Sequence, residues 1–315
     1  MFPDASITFL VKAKYATLLI NNPHLSKVIT YDDAGKGELK RITRQLREEH
    51  FDWFIDLHKS LRTRYIRLNT SFSEVTGYNK QILARTLLIY FGINRFKTIK
   101  PVYLRYFEAV RKYSIHYDDK GTEVYASHSD NDIVNRQLKA DGITGARQLV
   151  VICPGASYKN KQWLPERFAE VAISLHNDSS TEVVMLGGSA DSRLCDGIIA
   201  LTKKNIVSYA GKFSLLQSAA LLQRSALVIT NDSGMMHLAQ SQKVPVVAIF
   251  GATSRELGFY PFPQKSVVVE KEVSCRPCTH KGLNHCPRKH FNCMNRITTA
   301  DVLTAAQSFV PEIKS

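Results

Sequence analysis

Five short, almost wholly apolar runs in the second half of this chain constrain its fold more than any other feature. They occupy 148–153, 182–186, 206–209, 226–230 and 244–250, and each is followed by a polar or glycine-bearing turn. A strand covered on both faces has no solvated side, so it reads as a continuous hydrophobic run and not as an alternation. Helical patterns lie between the runs. Pro165 suits a first helical position, with Phe168, Val171, Ala172 and Leu175 as an apolar stripe behind it. Ser214 suits the cap of a second helix bearing Leu215, Ala219 and Leu222. Strands alternating with helices of this length predict a doubly wound α/β domain with a parallel sheet.

The first half has the same character in a weaker form. Strands are predicted over 6–11, 27–30 and 53–57, and helices over 38–49 and 129–140. Asp141-Gly142-Ile143-Thr144-Gly145 is the natural linker. A chain of 315 residues accommodates two domains, 1–145 and 146–315. The longest near-apolar run, Val244 to Ala252, is nine residues, against about 20 for a bilayer span. Met1-Phe2-Pro3-Asp4 has no basic region and no cleavage site of the secretory kind. The six cysteines are expected to be free thiols in a cytoplasmic setting.

Charge narrows the partners. The chain carries 42 Lys and Arg against 28 Asp and Glu, a net +14, and residues 40–113 alone hold 16 basic and 6 acidic side chains. Such a block attracts nucleic acid, anionic lipid or phosphorylated glycans. No RRM, KH or helix-turn-helix signature accompanies it, so nucleic acid is not the expected partner. Between Tyr78 and Tyr113, eight aromatics interleave with eight basic residues and one acid, Glu108. Arg95, Lys97, Lys100 and Arg105 are the basic residues expected to face an anionic membrane. The other reading places Tyr90, Phe91, Tyr103 and Phe107 in the core of the first domain.

Three turns follow predicted strands and could meet at one ligand. Ile229-Thr230-Asn231-Asp232-Ser233-Gly234 leads from a strand straight into a helix bearing His237. Free amides at such a helix start favour an anion; Asp232 or Ser233 could equally serve as a plain helix cap. Cys153-Pro154-Gly155-Ala156-Ser157 is followed by Lys161 and Trp163, small residues and a cation that suit a diphosphate, although no Walker A loop is present. Leu186-Gly187-Gly188-Ser189-Ala190-Asp191 ends the next strand, and Asp191 could bond a ribose hydroxyl or cap a helix.

The order of these pieces, Pro-Gly-Ala-Ser with Lys-x-Trp, then Gly-Gly, then Thr-Asn-Asp-Ser-Gly-x-x-His-Leu-Ala, then Pro-Val-Val-Ala-Ile-Phe-Gly-Ala-Thr, resembles glycosyltransferase family 9, the ADP-heptose:lipopolysaccharide heptosyltransferases. Phe2-Pro3-Asp4-Ala5-Ser6-Ile7 and Ile55 to Arg62 add to the likeness. The resemblance implies a GT-B architecture, two Rossmann-like domains facing a cleft, with acceptor on the first and nucleotide sugar on the second. It implies an inverting, metal-independent transfer of heptose from an ADP-sugar to an anionic lipopolysaccharide core, with no cofactor, by a protein at the inner face of the inner membrane. Ser157 and Lys161 match positions that bind the sugar-nucleotide phosphates. Asp232 matches the acid that holds sugar hydroxyls, and Ser233 and Gly234 offer amides to the diphosphate beside His237. Asp191 matches an acidic position near the nucleoside.

Family members usually open with a strand, a Gly-Asp loop and a helix before a Phe-Pro-Asp-Ala segment. The present sequence begins at that segment, so the Asp expected as general base is not among its residues, and a core built without that central strand would be opened. A chain of this kind without transfer activity, binding nucleotide sugar alone, is the alternative. Asp56, near a strand end, reads better as a capping or solvated acid than as a substitute base. Cys275, Cys278, Cys286 and Cys293, with His280, His285 and His290 among them, have ligand-type side chains without the spacing of two clean Cys-x2-Cys knuckles. No metal is expected to take part in the reaction.

Overall fold

A computed structural model describes residue 2, residues 4–32 and residues 35–311 of the chain. Met1 and Pro3 of the amino-terminal motif lie outside these. In chain order the elements begin β1 Thr8–Lys12, β2 Lys27–Tyr31, α1 Glu38–Glu49, β3 Phe51–Asp56, α2 Leu61–Leu68 and β4 Phe72–Gly77. Next come α3 Ile82–Phe91, α4 Val102–Phe107, α5 His128–Ala140, β5 Gln148–Cys153, α6 Pro165–Asn177 and β6 Thr181–Met185. The chain continues with α7 Ser192–Thr202, β7 Val207–Ser208, α8 Leu215–Leu222, β8 Leu227–Asn231, α9 Gly234–Ser241 and β9 Val246–Phe250. It closes with β10 Ser266–Glu270, α10 Asn292–Asn295 and α11 Thr299–Gln307.

These elements divide into two compact units: Met1–Gln81 with Lys100–Lys120, and Ile82–Ile99 with Gly121–Ser315. The second unit is built on a six-stranded parallel sheet of order β10-β9-β8-β5-β6-β7. The chain runs outward from β5 through β6 to β7, then returns to the other side of β5 for β8, β9 and β10. The strand order therefore reverses between β5 and β8, the point where open α/β sheets hold ligands. Every residue of β8 and β9 is buried. Val150, Ile152, Ile229, Val247 and Ile249 pack with Phe168, Val171 and Leu175 of α6 and with Val302 and Ala306 of α11. Val151, Val228, Val246 and Ala248, which alternate with them, are equally buried on the opposite face. Pro165 does sit at the start of α6, and Ser214 accepts the Gln217 amide at 3.1 Å to cap α8.

The first unit carries its strands in two parallel two-stranded ladders, β1 with β2 and β3 with β4. Its buried cluster is Ile29, Ile42, Leu46 and Ile66, flanked by partly buried Phe51, Phe54 and Phe72. The basic, aromatic stretch divides in two. Tyr78 meets Tyr106 edge-on at 5.0 Å, and Tyr103 and Phe107 lie 5.4 and 5.5 Å from Tyr117, so these rings pack inside the first unit. Tyr90 and Phe91 do not; they are 77% and 69% exposed. Arg105 corrects the expectation for the cations. It is buried, and its Nε donates to the Lys100 carbonyl at 2.8 Å, so it braces the start of α4 and faces no surface. Among the described residues no helix is long and apolar enough to cross a membrane.

Candidate functional site

The loops after β5 and β8 leave the sheet side by side, because Cys153 pairs with Thr230 in register. One buried side chain locks them together. Asn231, at the end of β8, donates from Nδ2 to the Pro154 carbonyl at 2.7 Å and accepts the Trp163 amide on Oδ1 at 3.1 Å. Its amide has both a donor and an acceptor, and here both are used. Asn160 ties down the next stretch: its side-chain Oδ1 accepts the Leu283 amide at 2.8 Å, and its backbone N–H donates to the Leu283 carbonyl at 3.0 Å.

This frame brings Lys161 to Asp232. Nζ lies 2.7 Å from Oδ2, with the two side chains 14% and 5% exposed. Thr253, beyond the end of β9, donates its hydroxyl to the same Asp232 oxygen at 2.7 Å. This buried carboxylate is thus compensated by a cation and a hydroxyl. Asp232 therefore does not cap α9. Ser233 takes the cap position, but its side chain makes no capping bond; its hydroxyl stands 3.3 Å from that of Thr230. The first amides of α9 consequently point forward without a side-chain acceptor. A Cβ on Gly234 would meet no atom within 4 Å, so the space before them is open.

His237 lies on the first turn of α9 and is exposed. Desolvation by its surroundings pulls its pKa below the usual imidazole value; Asp232 opposes that shift and Lys161 adds to it. All three belong to one electrostatic cluster.

Asp191 occupies the adjoining loop. Its Oδ2 accepts the Gly188 amide at 2.9 Å, closing the turn before α7. Its carboxylate also lies directly over Gly155, where a Cβ would clash with Oδ1, and over Gly187. A side chain at either glycine would displace the Asp191 carboxylate. Ser157 is exposed on the loop after β5, and its hydroxyl makes no hydrogen bond among the described residues. The arrangement thus unites Lys161, Asp232, Ser233, Gly234 and His237, sets Asp191 against Gly155, and leaves Ser157 at the rim.

The sequence offered no sign of Asn231, Asn160 or Thr253 as organising residues. The register of β5, β8 and β9 brings Asn231 and Thr253 to their partners, and Asn160 meets Leu283 from far along the chain. Asp56 takes the capping role that the sequence suggested, within a second polar cluster. At the carboxyl end of β3, buried Asp56 accepts the His58 and Lys59 amides at 3.0 and 2.6 Å and so holds a tight turn. His58 above it has its pKa lowered by desolvation and by Lys80, Arg62 and Lys12, with Asp56 opposing. Cations thus gather where β1, β3 and β4 end.

The cysteine-rich segment contains no metal-type cluster. Among the described residues no three His, Cys, Asp or Glu side chains are placed to hold an ion. Cys275 Sγ lies 3.8 Å from His290 Nε2, while Cys278 approaches the Ala252 carbonyl. Burial raises the thiol of Cys153 far above its usual range and that of Cys195 to about 12, so both are inert core groups.

Comparison with known proteins completes the picture. A lipooligosaccharide heptosyltransferase 2 from Campylobacter jejuni is 27% identical over 262 residues, covering 80% of this chain and 78% of that protein. The lipopolysaccharide heptosyltransferase 2 of Escherichia coli is 24% identical over 277 residues, covering 80% and 76%. Among solved structures, a family 9 glycosyl transferase from Veillonella parvula superposes with a TM-score of 0.79 at 21% identity, over 98% of this chain and 88% of that one. The E. coli ADP-heptose lipopolysaccharide heptosyltransferase II gives 0.72 at 22% identity, over 98% and 91%. The fold is GT-B, and the parallel α/β construction of the second unit agrees with it. The model of glycosyltransferase family 9 (heptosyltransferase) matches residues 39–287, well over half of the sequence, and the chain belongs to that family.

Proposed function

We propose that the protein transfers a heptosyl group from ADP-heptose to a lipopolysaccharide core, by a single inverting displacement that uses no metal. The observation that carries this reading is the Lys161–Asp232 pair, set before the uncapped start of α9 at the point where the strand order reverses. The hard part of such a reaction is departure of the nucleoside diphosphate, and fixed donors aimed at the developing charge ease it. Lys161, the α9 amides of Ser233 and Gly234, His237 and Ser157 supply those donors. Asp232, steadied by Thr253, accepts from the sugar hydroxyls when Lys161 turns to the diphosphate. Asp191 lies where the nucleoside would extend, beyond Gly155. A diphosphate arriving beside His237 would raise the pKa of that ring and recruit a proton to it.

The anionic acceptor suits the cations around His58 in the first unit, including Lys12, Arg62 and Lys80. Asp56, whose Oδ1 accepts the His58 and Lys59 amides, is read as the acid that holds its turn and not as the base. The acceptor's lipid places the work at the inner face of the inner membrane. The test is nucleotide release from ADP-heptose with and without a heptose-accepting core. Acceptor-dependent release, cut about 100-fold or more by Asp232→Asn as for loss of a fixed active-site electrostatic contact, supports transfer. Donor binding with no acceptor-dependent release would instead identify a nucleotide-sugar-binding protein.

A further inference from the structure

Helix α3 and the segment after it break the rule that large apolar side chains are covered. The helix itself is well made: no Pro or Gly interrupts Ile82–Phe91. It ends at Gly92, whose φ of +68° and the Ile93 amide bond back to the Leu87 carbonyl close it as a left-handed cap. Only Leu88 is buried. Two side-chain contacts fix the segment to the second unit, Arg85 to His280 at 3.0 Å and Asn94 to Glu256 at 3.2 Å. The opposite surface is bare. Ile82 and Tyr90, two turns apart on one face, are 57% and 77% exposed, with Leu83 beside them at 74%. Phe91 at 69%, Ile93 at 44% and Ile99 at 47% extend the surface past the helix.

An apolar surface of this kind marks an interaction site, and its charge says for what. Between Glu74 and Glu108 the sequence has no acidic residue. Arg95 and Lys97 stand exposed among the exposed apolar residues. Aliphatic and aromatic side chains flanked by cations, with a tyrosine that can keep its hydroxyl in water, match the boundary between acyl chains and anionic headgroups.

We infer that α3 and residues 92–99 dock on the surface of an anionic lipid bilayer, the apolar face dipping into the headgroup boundary and Arg95 and Lys97 meeting lipid phosphates. This rests on the reading of the protein as one that works on a lipid-borne acceptor, and it names the element that makes the contact.

The test is sedimentation of the full chain with vesicles of phosphatidylglycerol in phosphatidylcholine and of phosphatidylcholine alone, at low and moderate salt. Wild type should bind the anionic vesicles, and more weakly as salt rises. A combined Leu83→Ser, Tyr90→Ser, Phe91→Ser variant should lose at least tenfold in binding, since all three side chains leave water on docking. Arg95→Gln with Lys97→Gln should lose about 25-fold, from about 1 kcal/mol per basic residue near such a surface. Either variant binding like wild type would overturn the proposal. So would vesicle-independent self-association that the triple variant abolishes, because the face would then cover a second copy. ADP affinity, measured by calorimetry on the same proteins, should be equal in all three. Absence of ADP binding from all three would refute the donor-site reading while leaving the vesicle result to decide this one.

Discussion

In the second unit β8 and β9 are buried from end to end, and β5 is buried from Leu149 onward; in the first unit β1 and β3 are mostly half-buried, with Phe9 and Ile55 exposed. Both units pair their strands in parallel, yet one makes a six-stranded sheet and the other two ladders of two. A parallel sheet is stable when helices cover both faces. α6 and α11 pack on one face of β5, β8 and β9, and the residues pointing the other way are equally buried. The lesson concerns the site as much as the fold. Loops such as 154–161 and 232–234 can be held to ångström tolerance only when the strands that launch them do not move. Asn231 and the Lys161–Asp232 pair exploit that rigidity.

If the comparison is right, equivalent truncations should cost different amounts. Ile152→Ala, at the centre of the large sheet, should destabilise the protein toward the upper end of the ~2–5 kcal/mol range for such changes, and Ile29→Ala in the first unit toward the lower end. Urea unfolding followed by circular dichroism reads both. Equal costs would mean that the two cores are packed alike.

A smaller effect isolates the tie between loops. Asn231→Ala leaves the Pro154 carbonyl and the Trp163 amide unpaired in a buried setting; at roughly 1–3 kcal/mol per stranded group, a loss of about 3 kcal/mol is expected. Hydrogen exchange should then rise at Trp163 without rising in β6. Protection unchanged at Trp163 would remove Asn231 from its role as the clamp.

Much of this was legible in the sequence, for reasons visible in particular residues. The bounds of β5 follow the predicted run 148–153, and β6, β8 and α5 lie within a residue of expectation, because continuous burial writes itself as continuous hydrophobicity. β4 was missed since Phe72-Ser-Glu-Val-Thr-Gly is half polar, as befits a half-exposed strand. α3 gave no amphipathic signal because it is apolar on its exposed side as well as its buried one. Among site residues, the turn sequences pointed to Lys161, Asp232 and His237. Their meeting depends on register between strands distant in sequence, which no local pattern encodes. The same holds for Thr253 reaching Asp232 and for Asp191 lying over Gly155.

The central claim is that the Lys161–Asp232 cluster is a diphosphate site, and calorimetric titration of ADP tests it most directly. The comparison is between wild type, Lys161→Ala and Lys159→Ala, an exposed lysine of the same loop. A charge-assisted contact is worth about 1.5–3 kcal/mol, so Lys161→Ala should weaken ADP at least tenfold while Lys159→Ala leaves it unchanged and both proteins keep the wild-type far-ultraviolet spectrum. ADP affinity in Lys161→Ala equal to that of wild type would contradict the account.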